Sequence, residues 1–289
     1  MRVIVAYDGS ADAEVALSWA VQHAGESQSD LTLLYVDDGM TVLPDEPLTR
    51  DDPETAAATL ERRASRIREA APGLQVTSIV REGDVLHSLL RESTPAVLLV
   101  VGSGSGGVLH APARWSLGAR LIAHASGPVA IVPSVAGEGR HGVVVGIDGS
   151  EESGDLARFA AQLALEAAQP LRIVHAWSPP VMWFNPWPLD PEVLSVVETP
   201  HQEFLDAVVD RVGHDFPGIT VEGTVTRADS AVALLEVDPP AILTVMGRRS
   251  KSVLQKALLG STGLSVLLNL STPCLVVPDA ALISPGNVS

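Results

Sequence analysis

Three observations predict an α/β fold built as two tandem copies, each a doubly wound parallel sheet. The stretch Val3-Ile4-Val5-Ala6-Tyr7-Asp8-Gly9-Ser10 returns as Val143-Val144-Val145-Gly146-Ile147-Asp148-Gly149-Ser150, 140 residues later. A second landmark, Gly127-Pro128-Val129-Ala130-Ile131-Val132-Pro133, returns as Thr272-Pro273-Cys274-Leu275-Val276-Val277-Pro278, 145 residues later. Landmarks at both ends of a unit indicate a duplicated domain, with a period far above that of a solenoid repeat. Between them, short β-branched apolar runs alternate with stretches of helical period, which is the pattern of βα units.

In chain order, the first copy reads as strands over residues 3–6, 31–36, 76–80, 97–101 and 129–132. Helices fall between them, over 12–24, 53–71, 85–92 and 117–125, where apolar or Ala positions recur at helical spacing. The second copy repeats the series, with strands over 143–147, 171–176, 220–225, 242–246 and 275–277. Its helices are expected over 153–168, 191–216, 231–236 and 261–270. The strands read as continuous hydrophobic runs, the mark of a sheet covered by helices on both faces, and right-handed crossovers then restrict the topology. Each copy is thus a five-stranded α/β unit. Glycines and charges interrupt both patterns at Val135-Ala136-Gly137-Glu138-Gly139-Arg140-His141-Gly142, which divides the chain into domains 1–135 and 141–289. The segments 37–53 and 178–191 are equivalent loops, each following the second strand of its copy and preceding a long helix.

Composition narrows the function classes. Net charge is −16, and of the 35 acidic residues 18 precede Arg140 and 17 follow it, so the charge belongs to both halves. A uniformly acidic surface repels phosphate backbones and anionic bilayers, which argues against general nucleic-acid or membrane-surface binding. Cys274 is the single cysteine, so no intrachain disulfide forms. With no leader pattern at Met1 and no apolar run approaching 18 residues, the expected compartment is a reducing cytoplasm.

In open α/β sheets, ligands bind beyond the carboxyl ends of the strands, where strand order switches. Asp8 and Asp148 stand at those ends of their first strands, and Gly9-Ser10 and Gly149-Ser150 lead into the next helices. One reading is turn chemistry: glycine for the bend, serine as helix N-cap, aspartate in an Asx turn. The other is a carboxylate aimed into the crevice, where it would hold a ribose or a base amine. The fourth strand of copy two runs into Met246-Gly247-Arg248-Arg249-Ser250, and nine residues separate Ser250 from Gly260-Ser261. A glycine after a buried strand lets a ligand approach the backbone, and a helix opening at Gly260-Ser261 offers free N–H groups and a hydroxyl to a phosphate. The competing reading is a plain connector with a Ser helix cap. A Walker motif is absent from the sequence.

Several other features have ordinary explanations. Trp177, Trp183, Phe184 and Trp187 lie in or beside a Pro-rich loop, where adenine cover, an oligomer contact and local packing compete. Eight dispersed histidines lack metal-ligand spacing, and Cys274 reads as an inert core residue. Lys251 and Lys256, the two lysines of the chain, both lie in the second glycine loop, as triphosphate partners or as a solvated face. No Ser/His/Asp set or carboxylate pair can be assigned.

On these residues the chain resembles tandem universal stress proteins, over both halves almost end to end. The resemblance implies two flavodoxin-like (adenine nucleotide alpha hydrolase-like) domains and ATP, with or without Mg, bound through G-x-x-G-x9-G-[ST]. Gly247, Gly260 and Ser261 match that pattern at the right spacing, and Ser250 replaces its middle glycine. Asp148 matches the position that contacts ribose or adenine. The resemblance carries Asp8, Gly9, Ser10, Gly149 and Ser150 with it, and the strand-end residues Val36, Ala176 and Met246. The first copy departs further: thirteen residues separate Gly104 from Gly118, and Ala119 stands where the hydroxyl belongs. Its site, with Gly102, Gly104 and Gly118, is expected to be weakened; Arg114 is either a compensating charge or an exposed loop residue. The implied function is a cytoplasmic ATP-binding stress or regulatory protein whose second site is better preserved. The halves are expected to pair through 129–132 and 275–277, which leaves a homodimer of whole chains open. The rival is a nucleotide-free interaction scaffold with relic loops. Slow ATP hydrolysis is a third class, but the sequence names no base for it.

Overall fold

A computed structural model describes residues 1–39, 53–104, 117–134, 139–178, 191–248, 265–266 and 269–282, and both halves run through the same series of elements. The first half holds β1 (Arg2–Ala6), α1 (Ala11–Glu26), β2 (Leu31–Asp37), α2 (Pro53–Ala70), β3 (Val76–Glu82), α3 (Val85–Glu92), β4 (Val97–Gly102), α4 (Leu117–His124) and β5 (Val129–Val132). The second holds β6 (Val143–Ile147), α5 (Ser153–Glu166), β7 (Leu171–Trp177), α6 (Pro191–Asp215), β8 (Val221–Arg227), α7 (Ser230–Leu235), β9 (Leu243–Arg248) and β10 (Cys274–Pro278). A final short helix, α8 (Asp279–Leu282), is not foreshadowed by any apolar period. The helix expected over 261–270 falls largely outside the described residues; residues 265–266 are helical.

Local chemistry sets several boundaries. Asp84 and Asp229 cap α3 and α7, their carboxylates accepting from the N–H groups of His87 and Ala231 at 2.7 and 2.9 Å. Ser93 closes α3, and its buried hydroxyl accepts from the N–H groups of Ser126 and Gly127 at 2.9 and 3.0 Å, which pins the turn entering β5.

All ten strands form one sheet in the order β3-β2-β1-β4-β5-β10-β9-β6-β7-β8. Within each half the pairing is parallel, and strand order switches at β1 and at β6. The seam between halves is antiparallel, with Val129 opposite Val276, Ala130 opposite Leu275 and Ile131 opposite Cys274. The expected pairing of the two last strands is therefore what joins the halves. An antiparallel seam also turns the carboxyl ends of the two sets of strands to opposite ends of the sheet.

Alternating side chains feed two cores. Val3 and Val5 pack with Leu17 of α1 and Leu60 of α2 on one face; Ile4 packs with Leu89 of α3 and Leu121 of α4 on the other. Complete burial of such a side chain stabilises by roughly 1.5–3 kcal/mol. Leu275 joins the first core and Cys274 the second, so both cores cross the seam. Full burial pushes the Cys274 thiol up to about 12, consistent with an inert core residue. Cover on both faces holds for the central strands only. The outermost strands leave Arg81, Glu82, Glu222 and Arg227 exposed, and such charges discourage pairing with a further sheet.

His23, in the last turn of α1, is buried and stacks on Trp19 at 5.0 Å between ring centroids. Burial, reinforced by the Met1 ammonium, pulls its pKa down to about 4. A depressed histidine adds stability that is complete above its unfolded value near 6.5 and is lost as pH falls from there to about 4. The loss is on the order of 3 kcal/mol. Denaturant titrations between pH 7 and pH 4 should show this slope, and His23→Phe should flatten it.

Candidate functional site

The sites are built from strand ends that the topology makes neighbours. Asp8 is exposed just beyond β1, with β2 on one side and β4 on the other. Its Oδ1 accepts from the Ser10 N–H at 2.9 Å, closing an Asx turn over Gly9, whose φ of +74° favours glycine. Asp148 repeats this beyond β6, accepting from the Ser150 N–H at 3.0 Å, with Gly149 at a φ of +83°. Two exposed carboxylates thus stand at two switch points, at opposite ends of the sheet.

The serines diverge. Ser10 is the N-cap of α1, its Oγ accepting from the Ala13 N–H at 3.2 Å. Ser150 is not a helix cap, contrary to the turn reading. Residues 151–152 form an extra turn, so α5 begins at Ser153, and Glu152 precedes it without a side-chain cap. The freed Ser150 hydroxyl lies 3.4 Å from that of Ser153, which donates to Asp148 Oδ1 at 3.4 Å.

The glycines have separate explanations. Gly102 ends β4, and a Cβ there would lie 2.7 Å from the Asp12 carbonyl oxygen, so its small size admits the first turn of α1. The Asp12 carboxylate in turn accepts from the Ser134 hydroxyl beyond β5. Gly104 has a φ of +63°, and among the described residues nothing lies within 4 Å of a Cβ placed there. Gly118 lies in the first turn of α4, against Ile131, whose Cδ1 would sit 2.5 Å from a Cβ. Gly247 faces the Leu156 side chain of α5, 3.2 Å from a Cβ position. Close packing is one sufficient reason for glycine at Gly102 and Gly118, both of which the sequence assigns to the first candidate site.

Val36 and Met246 are buried in the second core, and Ala176 is half-buried beside Trp177. Through the pairing of β2, β1 and β4 the fold brings Val36, Asp8 and Gly102 to one sheet end; Ala176, Asp148 and Gly247 share the other. Ser250, Gly260 and Ser261 lie outside the described residues, as do Arg114, Lys251, Lys256, Trp183, Phe184 and Trp187. Trp177, placed by sequence in the loop, is instead the last residue of β7 and buried. Among the described residues, no group of three or more His, Cys, Asp or Glu could hold a metal ion, and no helix is long and apolar enough to cross a membrane.

Two side-chain clusters escaped the sequence reading. Beside Asp8, the Tyr7 hydroxyl donates to Glu14, whose second oxygen accepts from Arg63 of α2. Burial, then the Glu14 carboxylate, raises the Tyr7 phenol above its ordinary value; burial works to lower the Arg63 guanidinium, and Glu14 more than offsets it. Beside Asp148, His175 of β7 donates from Nδ1 to the Ile147 carbonyl at 3.1 Å. Its Nε2 then accepts from His201 Nδ1 of α6 at 2.8 Å, and the His201 ring stacks on Trp177. Burial, then the neighbouring His175, lowers the His201 pKa, with Glu198 opposing. The signal was poor in both cases, because the partners are 49 and 26 residues apart in sequence.

Comparison with known proteins bears on the chain as a whole. A family model described as the universal stress protein family matches residues 1–133 and 139–278. A universal stress protein of Mycolicibacterium smegmatis is 31% identical over 144 residues, covering 47% of this chain and 48% of that protein. One from Mycobacterium tuberculosis is 28% identical over 153 residues, 52% of each chain. These alignments span about half the length of the curated relatives. The crystal structure of a universal stress protein from Archaeoglobus fulgidus superposes with a TM-score of 0.68 over 96% of this chain and 98% of its own, at 17% identity, a likeness of fold.

Proposed function

Because the chain belongs to the universal stress protein family, we propose that it is a cytoplasmic regulatory protein that binds an adenine nucleotide, ATP with or without Mg. The observation that carries this reading is the repeated strand-end carboxylate. Asp8 and Asp148 hold the same Asx turn over a positive-φ glycine, exposed at the switch point of their own half. Each is a rigid acceptor for ribose hydroxyls or a base amine, with Val36 or Ala176 as apolar neighbour. The phosphates would lie toward the N-terminus of the helix after the glycine loop, where unpaired N–H groups suit an anion. In the second half that loop carries Gly247, Ser250, Gly260 and Ser261. Binding rather than turnover is the proposed role. The pairing of two whole chains into a homodimer is part of this reading.

A nucleotide-free scaffold is the second reading, and one observation favours it for the first half. The space beside Gly102 and Gly118 is taken by Asp12 and Ile131, so these glycines are explained without a ligand. Mass spectrometry of the small molecules released on denaturing the purified protein separates the readings. A stoichiometric adenine nucleotide is expected; its absence, with no binding at millimolar ATP, leaves the scaffold.

A further inference from the structure

We propose that Arg248, at the end of β9 in the second half, is a positioning residue for the first half's nucleotide site and couples the two sites through α4. The ligand in this proposal rests on the nucleotide reading, whereas the contact itself does not. Arg248 directly follows Gly247, yet its Nη1 donates to the carbonyl of Ile122, 126 residues earlier in the chain. That carbonyl lies in the last turn of α4, where carbonyls lack helical partners and the helix dipole is negative. The Leu121 carbonyl finds the Ala125 N–H at 2.7 Å, and that of Ile122 is served by a guanidinium from the other half. The Asp279 carboxylate offsets part of the cost of burying that guanidinium.

The antiparallel seam makes this reach possible. As the crossover between parallel β4 and β5, α4 runs against them, from the sheet end that carries the first site to the opposite end. At that opposite end lie the carboxyl ends of β9 and β10, with Arg248 in register with Pro278. The first turn of α4 is seated by Gly118 on Ile131, so the helix is held at both ends. With eight residues it is about 12 Å long, a short strut between the two sites.

A guanidinium donates to a carbonyl or to a phosphate, and the charged phosphate is the stronger acceptor. A nucleotide with phosphates beside Gly247 therefore competes with Ile122 for Arg248. Filling the second site releases the last turn of α4 and loosens the helix whose first turn borders the first site. The coupling is antagonistic and, as a free energy between two binding events, reciprocal.

The test combines hydrogen exchange of residues 121–125 with ATP titration on the full chain. In ligand-free protein, Arg248→Met should speed exchange there by roughly ten- to hundred-fold, with Arg248→Lys between it and the wild type. In an Asp8→Ala background, where only the second site remains, ATP should speed the same amides, and Arg248→Met should abolish that response. In an Asp148→Ala background, where only the first site remains, Arg248→Met should weaken ATP binding by roughly tenfold, and Arg248→Lys should restore part of it. If ATP binds and Arg248→Met alters neither exchange nor first-site affinity, the coupling is overturned while the nucleotide reading stands. A wild type that binds no ATP overturns both.

Discussion

Gly127→Ala is expected to destabilise the protein by about 3 kcal/mol. A Cβ at Gly127 would fall 1.9 Å from the Thr94 carbonyl oxygen and 2.6 Å from that of Val97. Both obstacles are backbone, so no rotamer change relieves them. The turn cannot swing away cheaply either, because the Gly127 N–H is held by the buried Ser93 hydroxyl and β5 continues into the seam. Gly213→Ala is the matched control: it lies within α6, and a Cβ there meets nothing within 4 Å among the described residues. Alanine should stabilise that helix by about 0.5–1 kcal/mol. Thermal unfolding of the two variants should move the midpoint in opposite directions. A Gly127→Ala protein as stable as the wild type would show that the close approach of this turn to β4 is wrong.

The second large effect concerns unequal affinity of the two proposed sites. The second half keeps the loop spacing and the Ser261 hydroxyl, whereas Ala119 in the first half is 5% exposed and presents no hydroxyl. A hydrogen bond to a charged phosphate contributes about 1.5–3 kcal/mol, or roughly ten- to hundred-fold in affinity. The second half should therefore bind ATP more tightly, and Ser261→Ala should weaken it within that range. Gly260→Val should cost more, since a β-branched side chain crowds the phosphate path. Calorimetric titration at fixed salt, with Asp8→Ala and Asp148→Ala in parallel, reads both sites. If Asp8→Ala removes the tighter site while Asp148→Ala and Ser261→Ala change nothing, the halves are reversed. Absence of binding at millimolar ATP leaves the scaffold.

Much of the architecture was legible because it is local. A strand of Val-Ile-Val-Ala ended by Asp-Gly-Ser carries its own extent, turn and exit, and a second copy in the same chain reads as a second unit. Helix boundaries shifted by a residue or two where capping decided them. Ser10 caps α1, whereas the same tripeptide in the second half is followed by Glu151-Glu152 and an extra turn, so identical motifs reach helices of different starting points. The glycines were legible as special, but the packing at two of them was not. Sequence marks Gly102 and Gly118 as positions without a side chain, but what fills the space comes from Asp12 and Ile131 in other elements.

By itself, the sequence determined the duplication, the α/β alternation, the buried strands and the repeated strand-end carboxylates, since each depends on residue type and short-range period. Only the tertiary structure decided that the seam joining the halves into one sheet is antiparallel, which sets the two candidate sites at opposite ends. The same holds for the Tyr7–Glu14–Arg63 cluster beside one carboxylate, the His175–His201 pair beside the other, and Arg248 holding α4 across the halves. The reason is distance along the chain. Seam direction follows from how two sheet edges meet, and contacts across 26, 49 or 126 residues leave no periodic trace in sequence until packing brings their elements together.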